Sequence, residues 1–360
     1  MAGNVLTVRE TGSDGSQGRE ISITDVKFAP LDFNALRGAK LHQRLDIPLR
    51  GRGRVHSTQG LDIHHGKIAT FSTILESRFT SKAIGLVQGG WLPSALAHIA
   101  DTVVLPDRCV VAQLASRLND GITRDGSEPD FIDLFAANPV RINPLLFVLE
   151  GDQGSNPTPD QLRRHLAEAR TKLRSALPNC EILAGDDQGL RGVLGLIEDT
   201  REGAQRKQTF LLEINQHLKS PVSRQRRDVV WDRVVDAAAR HGLPSTSLVV
   251  LAALSAVVSP QKNNPAKRLL KFGQEYALAD VYNALADIRA LEILAALFGF
   301  FPHEHLMLCT ADRDMALFWV GLAASNFRVQ DGRCTYDVNP TLLLPNISVT
   351  HWGSVFGKSN

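Results

Sequence analysis

Two segments far apart in this chain share one texture: a short apolar run that leads to an aspartate and then to an amphipathic pattern. Val103, Val104 and Leu105 pass through Pro106 to Asp107, after which residues 108–118 space their apolar side chains at a helical interval. Leu306, Met307, Leu308 and Cys309 pass through Thr310 and Ala311 to Asp312, and residues 313–324 again have helical spacing. Each segment reads as a β-α unit. Strands alternating with helices predict an α/β fold with a mostly parallel sheet flanked by helices, since parallel strands need crossover connections. Ligands of such sheets collect beyond the carboxyl ends of the strands, where Asp107 and Asp312 are both expected.

Between the two units the chain is mainly helical. Gly151, Gly154, Pro157 and Pro159 mark a loop, and Thr158-Pro159-Asp160 supplies an N-cap followed by proline at the first helical position. Leu162, Leu166, Ala169 and Leu173 then form an apolar stripe. Further helices are expected at about 188–198, 205–218, 226–241, 245–258 and 275–298, so that about 151–274 is a long helical insertion. Gly195 and Gly299 fall inside or at the end of apolar helices and suggest close packing or a helix end. Residues 1–99 are β-rich, with alternating segments at 20–26 and 67–75 broken by Gly-rich stretches such as residues 50–54. A division at 99/100 therefore separates a β-rich N-terminal part of unassigned role from an α/β domain at 100–360.

The 360 residues carry 40 basic and 38 acidic side chains, a net charge of +2 that identifies no nucleic-acid binder by total charge. Basic surface has to be local. One run holds Arg37, Lys40, Arg44, Arg50, Arg52 and Arg54, and a second holds Arg201, Arg206, Lys207, Lys219, Arg224, Arg226 and Arg227. Either is a phosphate contact region or a solvated surface. Cys109, Cys180, Cys309 and Cys334 have no zinc or disulfide spacing, and the first 18 residues lack an apolar core of signal type, so a cytoplasmic location is expected. The longest apolar runs, 248–258 and 290–301, are shorter than the roughly 20 residues that span a bilayer, and no membrane association is expected.

The acidic residues are the more informative feature. Glu150 ends the apolar run 143–150 as its only carboxylate. In residues 276–294, Asp280, Asn283 and Asp287 share a helical face with Leu291, Leu294 and Phe298, so a buried helix carries acids on an apolar stripe. A buried carboxylate must meet a metal, a donor set or a basic partner such as Lys271. Asp312 and Asp314 head the last amphipathic segment. Asp107 and Asp312 have a second reading as helix N-caps. Acids gathered at strand ends suit Mg²⁺ or Mn²⁺, which prefer hard oxygen ligands and serve phosphodiester hydrolysis.

The order of these elements resembles the PIN-domain family of metal-dependent nucleases over roughly residues 101–325. The resemblance is carried by Val103-Val104-Leu105-Pro106-Asp107, Leu149-Glu150, Asn283-Ala284-Leu285-Ala286-Asp287 and Leu308-Cys309-Thr310-Ala311-Asp312-Arg313-Asp314. The chain departs from the family where Arg108-Cys109, without an asparagine, follows Asp107, and in the length of its helical insertion. The resemblance implies Asp107, Glu150, Asp287 and Asp312 as the acidic ligands and catalytic residues, with Asp280 or Asp314 as substitutes or helpers. It implies an endoribonuclease acting on RNA or single-stranded nucleic acid with Mg²⁺ or Mn²⁺. Arg108, Arg313 and the run Arg50, Arg52 and Arg54 are the candidate phosphate contacts. The alternative is a non-catalytic PIN-like or helical scaffold, and a protein partner or homo-oligomer stays open to either reading. His303-Glu304-His305 and His64-His65 lack a third ligand, Gly51-Arg52-Gly53 and Gly89-Gly90 lack a P-loop frame, and Cys109 reads as a small buried hydrophobe.

Overall fold

The computed structural model describes residues 5–11, 17–98, 102–124, 126–137, 139–150, 155–259 and 264–357. Gly151 and Gly154 of the expected loop lie outside them, as do parts of the first 18 residues. The fold is mixed α/β. Its central sheet has six strands in the order Glu181–Ile182, Arg141–Ile142, Val103–Pro106, Leu306–Thr310, Ile84–Val87 and Gly90–Pro93. The first four run parallel, whereas the last two form an antiparallel hairpin against Leu306–Thr310. The sheet is thus mixed. Its hairpin comes from residues 84–93, on the N-terminal side of the boundary expected at 99/100.

Val103–Pro106 and Leu306–Thr310 are buried along their whole lengths, as strands covered on both faces must be, which explains why their sequences are continuously apolar. Their register pairs Val103 with Leu306 and Pro106 with Cys309. Both β-α units leave this sheet at the same edge, through helices Arg108–Arg117 and Arg313–Leu322.

A second, four-stranded antiparallel sheet comprises Leu6–Thr11, Gln17–Phe28, Asp46–Gln59 and Ile68–Glu76. The Gly-rich stretch 50–54 lies inside its third strand, contrary to the break expected there. The glycines answer to packing. A Cβ on Gly51 would stand 2.6 Å from the Phe71 ring, and one on Gly53 would stand 2.6 Å from the Thr24 carbonyl oxygen.

The insertion is helical as expected. Thr158 and Gln161 form a capping box on helix Pro159–Ala176, and Leu162, Ala169 and Leu173 are buried. The two helices expected at 188–198 and 205–218 are one, Asp187–Leu218. Ion pairs Arg201–Glu198 at 2.6 Å and Arg206–Glu202 at 3.8 Å support the polar middle that sequence periodicity reads as a gap. Arg227–Arg240, Leu248–Val258 and Pro265–Leu270 follow, then the long helix Leu278–Phe300. Gly299 is closely packed, since a Cβ there would stand 2.6 Å from Cys334 Sγ. Gly195 faces open space and marks no close contact. One apolar core joins both sheets to these helices, and among the described residues no helix is long and apolar enough to cross a membrane.

Candidate functional site

Asp107 and Asp312 stand at the carboxyl ends of neighbouring parallel strands. The Asp107 amide donates to the Cys309 carbonyl at 2.9 Å, which ties the end of one strand to the other. Both aspartates are N-caps. Asp107 Oδ1 accepts from Val110 N at 2.7 Å, while Asp312 Oδ1 accepts from Asp314 N at 2.7 Å and Met315 N at 3.0 Å. Buried Thr310 lies between them: its Oγ1 accepts from Asp312 N at 2.9 Å, and its hydroxyl is hydrogen-bonded to Asp107.

Glu150 ends the short helix Leu145–Glu150, whose first turn is held by Asn143 Oδ1 accepting from Leu145 N at 3.0 Å. Its Oε2 accepts from the Arg108 amide at 3.3 Å, beside Asp107. The long helix holds the end of this element: Tyr282 donates its hydroxyl to the Glu150 carbonyl at 2.6 Å, and Arg289 donates to the Leu149 carbonyl at 2.8 Å. These donors satisfy carbonyls that a helix terminus leaves unpaired.

Asp287 projects from the same long helix, one turn beyond Asn283. Its Oδ2 is buried and has no hydrogen-bond partner. The nearest cation is Lys271 Nζ at 3.7 Å, the basic partner anticipated from sequence, which stands within ion-pair range but beyond a hydrogen bond. Lys271 ends helix Pro265–Leu270 in the left-handed region, at φ 55°.

The four acids share one electrostatic field. Burial raises Asp287 to about 7; Lys271 opposes this, while Asp312, Glu150 and Asp107 add to it. Burial raises Asp107 to about 6 against its bonds from Thr310 and Val110, with Glu150 and Asp312 adding their repulsion. Glu150 is also raised by burial, despite the Arg108 amide and the charges of Arg108, Lys271 and Arg289. Cys109 reports the same field. It is exposed, contrary to its reading as a buried hydrophobe, because it occupies the outward side of the first helical turn. Partial desolvation and then all four acids push its thiol up to about 11, so it stays protonated and is a poor nucleophile near neutral pH.

The remaining candidates have other partners. Asp280 closes a capping turn, accepting from Ala277 N at 2.9 Å. Asp314 pairs with Arg268 at 2.9 Å. Arg108 lies over the Phe147 ring at 4.8 Å with Nη1 buried and lacking a hydrogen bond, whereas Arg313 donates to the Leu36 and Arg37 carbonyls at 3.0 and 2.8 Å. Arg54 pairs with Asp25 at 3.3 Å. Arg50 and Arg52 line a cavity with Thr102 and Leu306, at the amino ends of the central strands, so they are not gathered with the acids.

An all-oxygen donor set and an orphaned buried carboxylate oxygen fit a hard divalent cation in kind. As they stand, no three His, Cys, Asp or Glu side chains among the described residues are close enough together to grip one ion. Sequence reasoning missed Thr310, Tyr282 and Arg289 as the groups that position Asp107 and Glu150. A buried threonine next to a strand-end aspartate was a usable signal; the contacts of Tyr282 and Arg289 across the insertion were not. Comparison with protein-family models, curated proteins and solved structures returns no match.

Proposed function

We propose that this protein is a metal-dependent nuclease, an endoribonuclease acting on RNA or single-stranded nucleic acid, with Asp107, Glu150, Asp287 and Asp312 as its acidic centre. The observation that carries this reading is Asp287 Oδ2, buried without a hydrogen bond in a field to which three other carboxylates contribute. Ordinary packing gives such an atom a hydrogen-bond donor, because burying an unpaired carboxylate costs several kcal/mol; here Lys271, in ion-pair range at 3.7 Å but beyond a hydrogen bond, offsets that cost only in part. Mg²⁺ or Mn²⁺ would supply positive charge against phosphate and acidify water.

The chain's own groups would divide the remaining work. Thr310 and the first turns of the two edge helices hold Asp107 and Asp312 in orientation. The Arg108 amide holds Glu150, and Asp287 keeps an oxygen available for a cation or for a proton taken from water. Since the acids are not closed around one point, an ion would be held partly through its own water shell or after side-chain rotation, in keeping with the reluctance of Mg²⁺ to dehydrate.

A scaffold reading is favoured by the structural duties of the same acids: Asp107, Asp312 and Asp280 cap helices, and Asp314 pairs with Arg268. The test is cleavage of labelled RNA by protein freed of metal and then supplied with Mn²⁺ or Mg²⁺. The nuclease reading expects cleavage that chelator abolishes and that Asp287→Asn lacks. Absence of cleavage of RNA and single-stranded DNA under every metal condition sinks it in favour of the scaffold.

A further inference from the structure

Three arginines line a cavity of about 640 Å³ beside the acidic centre. The short helix Phe33–Gly38 gives it Phe33, Asn34 and Arg37, and helix Arg313–Leu322 gives it Arg313, Asp314 and Leu317. Both sets are spaced i, i+1, i+4, which fall within about 100° of one another around a helix axis, so each helix turns a single face to the cavity. Arg268 enters from helix Pro265–Leu270, and buried Phe33, Leu317 and Leu343 form an apolar floor.

The arginines are held in place without being neutralised as a group. Arg313 is half-buried and donates to the Leu36 and Arg37 carbonyls near the end of helix Phe33–Gly38, which anchors its guanidinium. Of the three, only Arg268 has a carboxylate partner among the described residues, Asp314 at 2.9 Å. No hydrogen bond or ion pair holds the Arg37 guanidinium to any described residue. Three guanidinium groups against the single Asp314 carboxylate leave the cavity a surplus of two positive charges.

Asp314 is also the wall between this cavity and the acidic centre. Its amide donates to Asp312 Oδ1 at 2.7 Å. Burial raises its carboxyl, Arg268 and Arg313 oppose the rise, and Asp312 adds to it. Helix Pro265–Leu270 bridges the same boundary, with Arg268 at the cavity and Lys271, three residues on, 3.7 Å from Asp287.

We infer that this cavity holds the terminal phosphate of a nucleic-acid strand whose backbone reaches the four acids. A terminal phosphomonoester carries about −1.5 to −2 at neutral pH, matching the surplus, whereas an internal phosphodiester carries a single charge. Guanidinium groups suit its oxygens because their N–H donors are planar and paired. The volume lies within the roughly 300–1,000 Å³ of small-molecule sites, with room for the nucleoside that bears the phosphate against the apolar floor. Continuity of the strand with the acids rests on the nuclease reading; the phosphate site itself does not.

The experiment is calorimetric titration of the metal-free full chain, at one fixed salt concentration, with pentauridylate bearing a 5′-phosphate, a 3′-phosphate or neither, and with inorganic phosphate. At least one phosphorylated strand should bind at least tenfold tighter than the unphosphorylated strand, and inorganic phosphate should compete with it. Arg37→Gln with Arg268→Gln should remove that preference and leave the unphosphorylated strand unchanged; Arg37→Gln alone, which breaks no bond, should reduce it several-fold. Asn34→Trp, at an exposed position of the lining, should remove the preference by filling the space without a change of charge. Cooperative melting within about 4 °C of wild type establishes that the variants are folded. Equal binding of the three strands, a preference that survives the double substitution or Asn34→Trp, or inorganic phosphate binding tighter than either phosphorylated strand would each overturn the assignment. Without metal, cleavage plays no part: a protein that cleaves RNA but shows no preference refutes this pocket alone, and one that shows the preference but never cleaves refutes the nuclease alone.

Discussion

At the carboxyl end of the central strands Asp107 and Asp312 share an electrostatic field with Glu150 and Asp287, to which Lys271 is the nearest cation; on the outer face of the four-stranded sheet Lys27, Arg50 and Arg52 stand together with no ion pair among the described residues. The two imbalances differ in burial. Asp287 Oδ2 is shut away from water, so its charge is costly and it takes up a proton readily or seeks a cation. Lys27, Arg50 and Arg52 are exposed, where water solvates them and their mutual repulsion is weak. An unmatched charge therefore signals chemistry more strongly where it is buried. On an exposed sheet face it is solvated and signals little by itself.

If the two regions act independently, they should break separately. The largest effect expected is on RNA cleavage: Asp107→Asn or Asp312→Asn should lower the Mn²⁺-dependent rate by at least 100-fold, on the scale of losing electrostatic stabilisation of a transition state. Both variants should stay folded, because asparagine caps a helix as well as aspartate does. Arg50→Glu with Arg52→Glu should leave the rate within about twofold, and a loss comparable to that of the aspartate variants would merge the two ends into one nucleic-acid surface.

Stability should separate the ends next. The native states hold Asp107 near 6 and Asp287 near 7, above the roughly 3.9 of an unfolded aspartate, so folding takes up protons between those values. Stability from these groups is complete below about pH 4 and is lost as pH rises through 6 and 7. Without divalent ions, Asp287→Asn should gain on wild type across that window, by about 1–3 kcal/mol at pH 8. Urea unfolding of both proteins at pH 4 and pH 8 measures this. A difference that is constant with pH would mean that Asp287 is not held against its charge.

Much of the acidic end was legible because its parts are local. An apolar run, an aspartate and a helical pattern identified both strand ends at Asp107 and Asp312, and a carboxylate on an apolar helical stripe identified Asp287. The basic end was read only as a charged run broken by glycine. Its glycines answer to Phe71 lying over Gly51 and to Thr24 approaching Gly53, contacts that local periodicity does not encode. The same limit hid the hairpin Ile84–Val87 and Gly90–Pro93: its pairing with Leu306–Thr310 spans most of the chain.

A smaller effect should appear at Cys109. Partial desolvation and then the four carboxylates hold its thiol up to about 11, so neutralising the carboxylates with Mg²⁺ should remove part of that shift and speed alkylation by iodoacetamide a few-fold at pH 8.5. Peptide mass spectrometry distinguishes Cys109 from half-buried Cys180 and Cys334, whose rates should not change. An Mg²⁺ response shared by all three would be a general ionic effect.

The central claim, that these four carboxylates form one divalent cation site, is tested most directly by titrating metal-free protein with Mn²⁺ and detecting the free ion by electron paramagnetic resonance. Wild type should take up one or two ions per chain saturably, Asp287→Asn should bind at least tenfold more weakly, and the Arg50→Glu, Arg52→Glu protein should match wild type. Equal uptake by wild type and Asp287→Asn, or no saturable uptake at all, would contradict the account.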